Sequence, residues 1–334
     1  MLTRRLVLAA AAAVALGSTA LAPGAFAQET TRIGLVPKAL GIGFFDAANK
    51  GAQEAAKELG NVEIIYTGPT STTAEGQIET VNALVAQKVD AIAISANDPD
   101  ALAPALKKAM QRGIKVISWD SGVAKDGRIL HLNPSSNALI GKMCVDLAAD
   151  VAGPGEAEVA ILSATPTSTN QNIWIEEMKK VLPEHKNLKL VATVYGDDLA
   201  DKSYRETQAL LKQYPNLKVI IAPTSVGIVA AAKAVEDAGL SGKVFVTGLG
   251  LPSELAGHVM KGTVKSFAIW NPIDLGYAAA TLAVELARGE EGGPDTKMSM
   301  GRLGVVEFDA NGDGAMGKPF VYDKSNVEEF AKIF

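Results

Sequence analysis

The sequence predicts an α/β fold built as two doubly wound parallel-sheet lobes. Three observations carry that expectation. Strand-like apolar runs alternate with helix-like patterns in a steady β-α rhythm. The strand runs are continuously apolar instead of alternating, which marks parallel strands covered on both faces. The same rhythm begins again at about residue 134, so the chain divides into two halves of similar construction.

The first half opens with Arg32 to Val36, followed by a helix whose small apolar face is Ala48, Ala52, Ala55 and Leu59. That spacing puts all four on one side of a 3.6-residue turn. Val62 to Tyr66 then precedes a helix marked by Ile78, Val81, Leu84 and Val85, and Ala91 to Ser95 precedes Leu102 to Met110. Val116 to Trp119 closes the fourth unit, so one open sheet is complete by about residue 133. The second half reads as a helix over Leu139 to Val151, a strand over Val159 to Ser163, and a helix face of Trp174, Met178 and Val181. Strand Leu190 to Tyr195, helix Leu199 to Gln213 and strand Val219 to Ala222 come next. Ile228, Ala231, Ala232 and Val235 mark a helix, and Val244 to Thr247 and Val264 to Trp270 are strands. No residue-level repeat between the halves is strong enough to establish duplication.

Ahead of these elements, Met1 to Ala27 reads as an export signal: Arg4 and Arg5, an apolar run from Leu6 to Leu16, and small residues at Ala25-Phe26-Ala27 before Gln28. The apolar run is shorter than the roughly 20 residues that span a bilayer. A general secretory route is favoured over a twin-arginine one, since two arginines are common in ordinary signals. Removing those 27 residues from 334 leaves 307, room for two lobes at about 150 residues each.

With 48% hydrophobic and 21% charged residues, the composition excludes disordered and collagen-like chains. A net charge of −5 with no basic run argues against a nucleic-acid surface. Cys144 is the only cysteine, so no disulfide can form within the chain, and its helical setting reads as a small buried hydrophobe.

Open parallel sheets bind ligands beyond the carboxyl ends of their strands, so the residues just past each strand are the candidates. These are Lys38 and Gly41-Ile42-Gly43-Phe44-Phe45-Asp46, then Trp119-Asp120-Ser121, in the first half. The second half offers Thr167-Ser168-Thr169-Asn170-Gln171-Asn172, Pro223-Thr224-Ser225 and Trp270-Asn271-Pro272. Planar donors and acceptors beside aromatic rings suit a sugar: hydroxyls bond to the former, each charge-assisted bond contributing about 1.5–3 kcal/mol, and C–H faces lie on the latter. All three tryptophans, Trp119, Trp174 and Trp270, stand beside such polar residues. Plainer readings exist for several: Trp174 continues a helical apolar face, Phe44 and Phe45 could form a hydrophobic staple, and Lys38 could be a solvated loop charge.

Other chemistries lack their parts. Gly41-Ile42-Gly43 has Asp46 where a dinucleotide fingerprint needs its third glycine, and no phosphate-cradling loop ends in Lys-Ser or Lys-Thr. His131, His185 and His258 make no metal spacing, and no Gly-x-Ser-x-Gly elbow exists. Asp309-Ala310-Asn311-Gly312-Asp313-Gly314 starts like a calcium loop, but Phe320 stands where the bidentate glutamate belongs. No cofactor is expected, and a cleft enzyme, sugar-modifying or nucleotide-dependent, is disfavoured for want of an activated nucleophile.

Four segments, Asp46 to Ala52 (DAANKGA), Ala93 to Leu102 (AISANDPDAL), Lys107 to Ser118 (KKAMQRGIKVIS) and Asn170 to Trp174 (NQNIW), resemble the type I periplasmic binding proteins that feed ABC sugar importers, the rhamnose-binding group above all. The related autoinducer-2 receptors use a Lys after the first strand, the Asp of Trp-Asp-Ser, an Asp-Gln pair and Pro-x-Ala, positions held here by Lys38, Asp120, Asn170-Gln171 and Pro223-Thr224-Ser225. Two places depart. Asn170 offers a donor where a carboxylate would only accept, and Ser225 replaces a methyl by a hydroxyl, so the resemblance implies L-rhamnose ahead of autoinducer-2 or ribose.

It further implies two lobes joined by a hinge, with residues 28–133 and about 272–304 in the first and 134–271 and about 305–334 in the second. The implied ligand residues are Lys38, Phe44, Phe45, Trp119, Asp120, Asn170, Gln171, Trp174, Pro223, Ser225 and Asn271. The implied partners are the sugar and the permease subunits, with the protein a periplasmic monomer. A sugar-responsive repressor of the same architecture would need a DNA-binding helix pair where the export signal stands.

Overall fold

The structure, a computed structural model, describes residues 30–334. The expected export signal lies outside the described residues. In the first lobe, strand β1 (Thr31–Val36) leads to helix α1 (Gly43–Leu59), β2 (Val62–Tyr66) to α2 (Ala74–Ala86), and β3 (Ala91–Ile94) to α3 (Pro99–Gln111). Strands β4 (Lys115–Trp119) and β5 (Leu130–Asn133) complete this passage. The chain then crosses to the second lobe with α4 (Asn137–Ala152), β6 (Ala157–Ser163), α5 (Thr169–Val181), β7 (Leu188–Tyr195) and α6 (Ala200–Gln213). That lobe continues through β8 (Leu217–Ala222), α7 (Ser225–Asp237), β9 (Phe245–Gly248), α8 (Pro252–Met260) and β10 (Ser266–Ile269). Helix α9 (Pro272–Ala287) returns to the first lobe, succeeded by β11 (Lys297–Ser299), β12 (Val305–Glu307), β13 (Asp313–Ala315), β14 (Phe320–Asp323) and α10 (Val327–Phe330).

The first sheet runs β2-β1-β3-β4-β5-β13, all parallel. Both faces are covered, which explains the unbroken apolar strands. Ile33, Leu35, Ala91, Ala93, Ile117 and Trp119 share a core with α1, while Val36, Ile92, Ile94 and Val116 pack with Val81, Leu84, Leu102 and Leu106 of α2 and α3. The alternation is the strand's two-residue period seen from both sides.

The small face of α1 exists to meet α9. Ala48, Ala52 and Ala55 are fully buried, and the two backbones approach so closely that a Cβ at Gly51 would lie 1.7 Å from Ile273 O and one at Gly276 1.8 Å from Ala48 O. Only glycine fits either place.

The second sheet is also parallel, in the order β7-β6-β8-β9. Strand β10 continues it through bridges Val246 to Val264 and Leu249 to Ala268, and pairs antiparallel with β14. The chain therefore passes between lobes three times: after β5, after β10 and after β13.

The last passage differs from the sequence expectation. That expectation places residues from about 305 onward in the second lobe, yet β13 pairs with β5 through Asp313 with His131 and Ala315 with Asn133. Strand β13 is too short, and its flanks too polar, for local periodicity to reveal its partner. The chain joins the second lobe only at β14.

Beside β13 sits a buried imidazole. His131 Nδ1 lies 2.9 Å from Ser118 Oγ and Nε2 3.2 Å from Asn133 Oδ1. Asn133 Nδ2 donates to Gly314 O, which fixes Oδ1 as the acceptor and assigns the neutral tautomer with its proton on Nε2. Burial first, and then repulsion from Arg128, lower the His131 pKa from 6.5 to about 4. Between those values the unfolded chain takes up a proton that the native ring refuses, so stability rises with pH across this window. Acidification from about pH 6.5 to about 4 is expected to cost up to about 3 kcal/mol. Melting temperatures across that range check it, and H131Q should flatten the dependence.

Candidate functional site

Sheet order fixes where the two lobes can hold a ligand. In the first sheet the connections reverse direction between β1 and β3, and in the second between β6 and β8, and such switch points open a crevice at the carboxyl ends. The two crevices face one another. Between them lies a cleft of about 400 Å³, counting the part open to solvent, lined by Lys38, Phe44, Phe45 and Asp120 of the first lobe and Asn170, Gln171, Trp174, Pro223 and Ser225 of the second. Nine of the eleven residues expected from the sequence thus meet in one cavity.

Lys38 and Asp120 are 3% and 4% exposed, so both charges need internal partners. Lys38 Nζ donates across the cleft to Ser168 Oγ at 2.6 Å and Asn170 Oδ1 at 2.9 Å. Asp120 Oδ2 accepts from Ser95 Oγ at 2.8 Å, and its Oδ1 from Asn170 Nδ2 at 3.1 Å. Asn170 therefore uses both ends of its amide to join the lobes, a task that the donor-less aspartate of the autoinducer-2 pattern could not perform toward Asp120.

Burial raises the Asp120 pKa, opposed by the Lys38 charge and the bond from Ser95, while the nearby Asp198 carboxylate pushes it further up. Its backbone is left-handed, φ 59°, a conformation that aspartate tolerates better than most residues.

Gln171 Oε1 accepts from Ser163 Oγ and Ala164 N, both at 2.8 Å, which fixes the orientation of its amide. Thr167 Oγ1 to Asn97 O and Thr169 Oγ1 to Gly122 O, each 2.9 Å, and Thr72 Oγ1 to Asp197 O, 2.6 Å, also run from lobe to lobe. The lobes are closed on one another.

The aromatic residues form one connected set. Phe44 meets Phe45 and Trp270 edge to face at centroid distances of 5.2 and 6.1 Å, and Trp174 meets Trp270 at 5.6 Å. Trp174 is buried, 2% exposed, with its Nε1 donating to Asn137 Oδ1 at 2.8 Å, and it also lines the cavity.

Two expected residues lie elsewhere. Trp119 is wholly buried behind Phe45, at 5.7 Å, because as the last residue of β4 it shares the face of Ile117 and points into the sheet core. Asn271 caps α9: its Oδ1 accepts from Ile273 N at 2.9 Å, with Pro272 at the first helical position. Its side chain is spent on the helix.

Six further residues line the cavity: Ile42, Thr224 and Trp270, which belong to the strand-end segments picked out in the sequence though not to the eleven, and Asp198, Leu249 and Ile269, which the sequence reading missed. Asp198 comes after β7 as part of Gly196-Asp197-Asp198, and the strand-end rule that points to the other candidates points to it as well. Thr224 Oγ1 donates to the Asp198 carboxylate and caps α7 by accepting from Gly227 N at 3.2 Å.

Known proteins share this architecture. The periplasmic binding protein domain family matches residues 33–291. An ABC transporter solute binding protein from Clostridium phytofermentas, solved with bound L-rhamnose, is 38% identical, with 91% of this chain and 99% of that one covered at a TM-score of 0.87. The ribose import binding protein RbsB of Escherichia coli (strain K12) is 27% identical over 279 residues, 84% of this chain and 91% of its own. LsrB from Clostridium saccharobutylicum, in complex with AI-2, shares the fold at a TM-score of 0.85 and 24% identity, covering 90% of this chain and 99% of its own. Matched over most of its length and built as two facing parallel-sheet lobes, the chain belongs to the periplasmic binding protein family, and it is a binding protein, not an enzyme.

Proposed function

We propose that this protein, a sugar-binding component of an ABC transporter, captures L-rhamnose between its lobes and delivers it to the permease as a periplasmic monomer. The observation that carries the reading is the cavity between the lobes, where a carboxylate, an amide and an ammonium meet a cluster of aromatic rings. Asp120 accepts ligand hydroxyl protons, Gln171 and Lys38 donate, and Phe44, Phe45 and Trp174 cover the C–H faces. The substantial identity to the Clostridium protein solved with L-rhamnose supports this choice of sugar.

Because ligand groups touch both lobes, binding favours the closed form, and that form is what a permease can tell from the open one. No bond in the ligand breaks. Calorimetric titration with L-rhamnose, ribose and autoinducer-2 tests the proposal. Saturable binding of L-rhamnose at micromolar or tighter affinity, about −8 kcal/mol, is expected. Absence of heat with L-rhamnose beside saturable binding of ribose or autoinducer-2 would reject it.

A further inference from the structure

The cavity is not uniformly polar. Along the second sheet, in spatial order, the residues beyond the strand ends change character step by step. Beyond β7 stands Asp198, beyond β6 Asn170 and Gln171 with Trp174 a turn further along α5, and beyond β8 Pro223, Thr224 and Ser225. Past β9 and at the end of β10 the lining is Leu249, Ile269 and Trp270. Leu249 and Ile269 are each 2% exposed and adjacent, since Leu249 bridges to Ala268. From the first lobe, Ile42 and Phe44 line the cavity too, and Phe44 meets Trp270 edge to face. The one polar side-chain atom among these residues, Trp270 Nε1, is covered by protein and has no hydrogen-bond partner.

We infer that this polar-to-apolar gradient makes the protein selective for 6-deoxyhexoses, with the ring hydroxyls toward β6 and β7 and the C6 methyl against Leu249, Ile269 and Trp270. The inference rests on the sugar-binding reading above and deepens it. A hydroxymethyl group in that corner would lose its water and find no partner, whereas a methyl needs none. An apolar pocket rejects an analogue that adds one hydroxyl by about ten- to a hundredfold.

L-mannose differs from L-rhamnose only in carrying a hydroxyl at C6, so the pair isolates the corner without altering the protein. Calorimetry on the mature chain should give L-mannose an affinity at least about tenfold below that of L-rhamnose. I269T, which places a hydroxyl in the corner, should narrow the gap by about threefold or more. Equal binding of the two sugars overturns the inference while leaving the L-rhamnose assignment standing. If L-rhamnose fails to bind, the matched pairs L-fucose with L-galactose and 6-deoxyglucose with glucose separate the two ideas. Tighter binding of a deoxy member upholds the gradient and rejects only the choice of sugar; no preference in any pair rejects the gradient as well.

Discussion

Replacing Asp120 by alanine is expected to weaken L-rhamnose binding by about a hundredfold or more. Two hydrogen bonds to a charged acceptor, at about 1.5–3 kcal/mol each, account for a loss of that order. The same change strands Ser95 Oγ and Asn170 Nδ2, both of which donate to the carboxylate. It also puts alanine at φ 59°, so part of the damage is conformational. D120N separates these effects. Asparagine tolerates the left-handed backbone but turns one acceptor into a donor facing donors, and a loss of at least about tenfold is expected with the melting temperature nearly kept. Calorimetry and thermal melts on both variants check this. Unchanged affinity in D120N and D120A together would move the ligand away from Asp120.

K38M should weaken binding by about thirtyfold, the loss of roughly two kcal/mol of charge-assisted bonding. Lys38 holds Ser168 and Asn170 from the opposite lobe, and its charge offsets the burial that raises Asp120. Methionine keeps the length and removes both bonds. Without the ammonium, Asp120 gives up its proton only at still higher pH, and a protonated Asp120 loses acceptor capacity for the ligand. Affinity of K38M should therefore rise with pH through the Asp120 titration more steeply than affinity of the wild type does. Titrations at several pH values, with L-rhamnose as ligand, read the slope directly. A parallel dependence in both proteins would mean that Lys38 does not govern the ionisation of Asp120.

The residues carrying these predictions are legible in the chain because strand ends are a local property. Lys38, Asp120, Asn170, Gln171, Pro223 and Ser225 come after apolar runs that are parallel strands by composition, and a parallel strand delivers its next residues to the crevice. Asp198 is equally legible, since it succeeds β7 in the same way. Trp119 and Trp270 are not separable by neighbours alone, for each stands beside polar residues. The difference lies in phase. Trp119 completes the buried face of β4 begun by Ile117, whereas Trp270 lies one residue beyond β10 and borders the cavity. Asn271 shows a similar ambiguity, because an asparagine before proline serves a helix cap as well as a ligand, and α9 takes it.

The sequence by itself determined the α/β class, nine of the fourteen strands among the described residues and most of the groups that the cavity could use, while β5 and β11 to β14 escaped it. These come from periodicity and composition within stretches of about ten residues. Tertiary structure alone decided which groups meet. It brings Asn170 to Lys38, 132 positions away in the chain, and to Asp120, 50 positions away. It also returns β13 to β5 and sets Leu249 beside Ile269 at the apolar end. Those pairings depend on how sheets order their strands and how two lobes face each other. Long-range contacts of that kind leave no period in the chain, because the energy that selects them comes from burial and hydrogen bonding between distant segments.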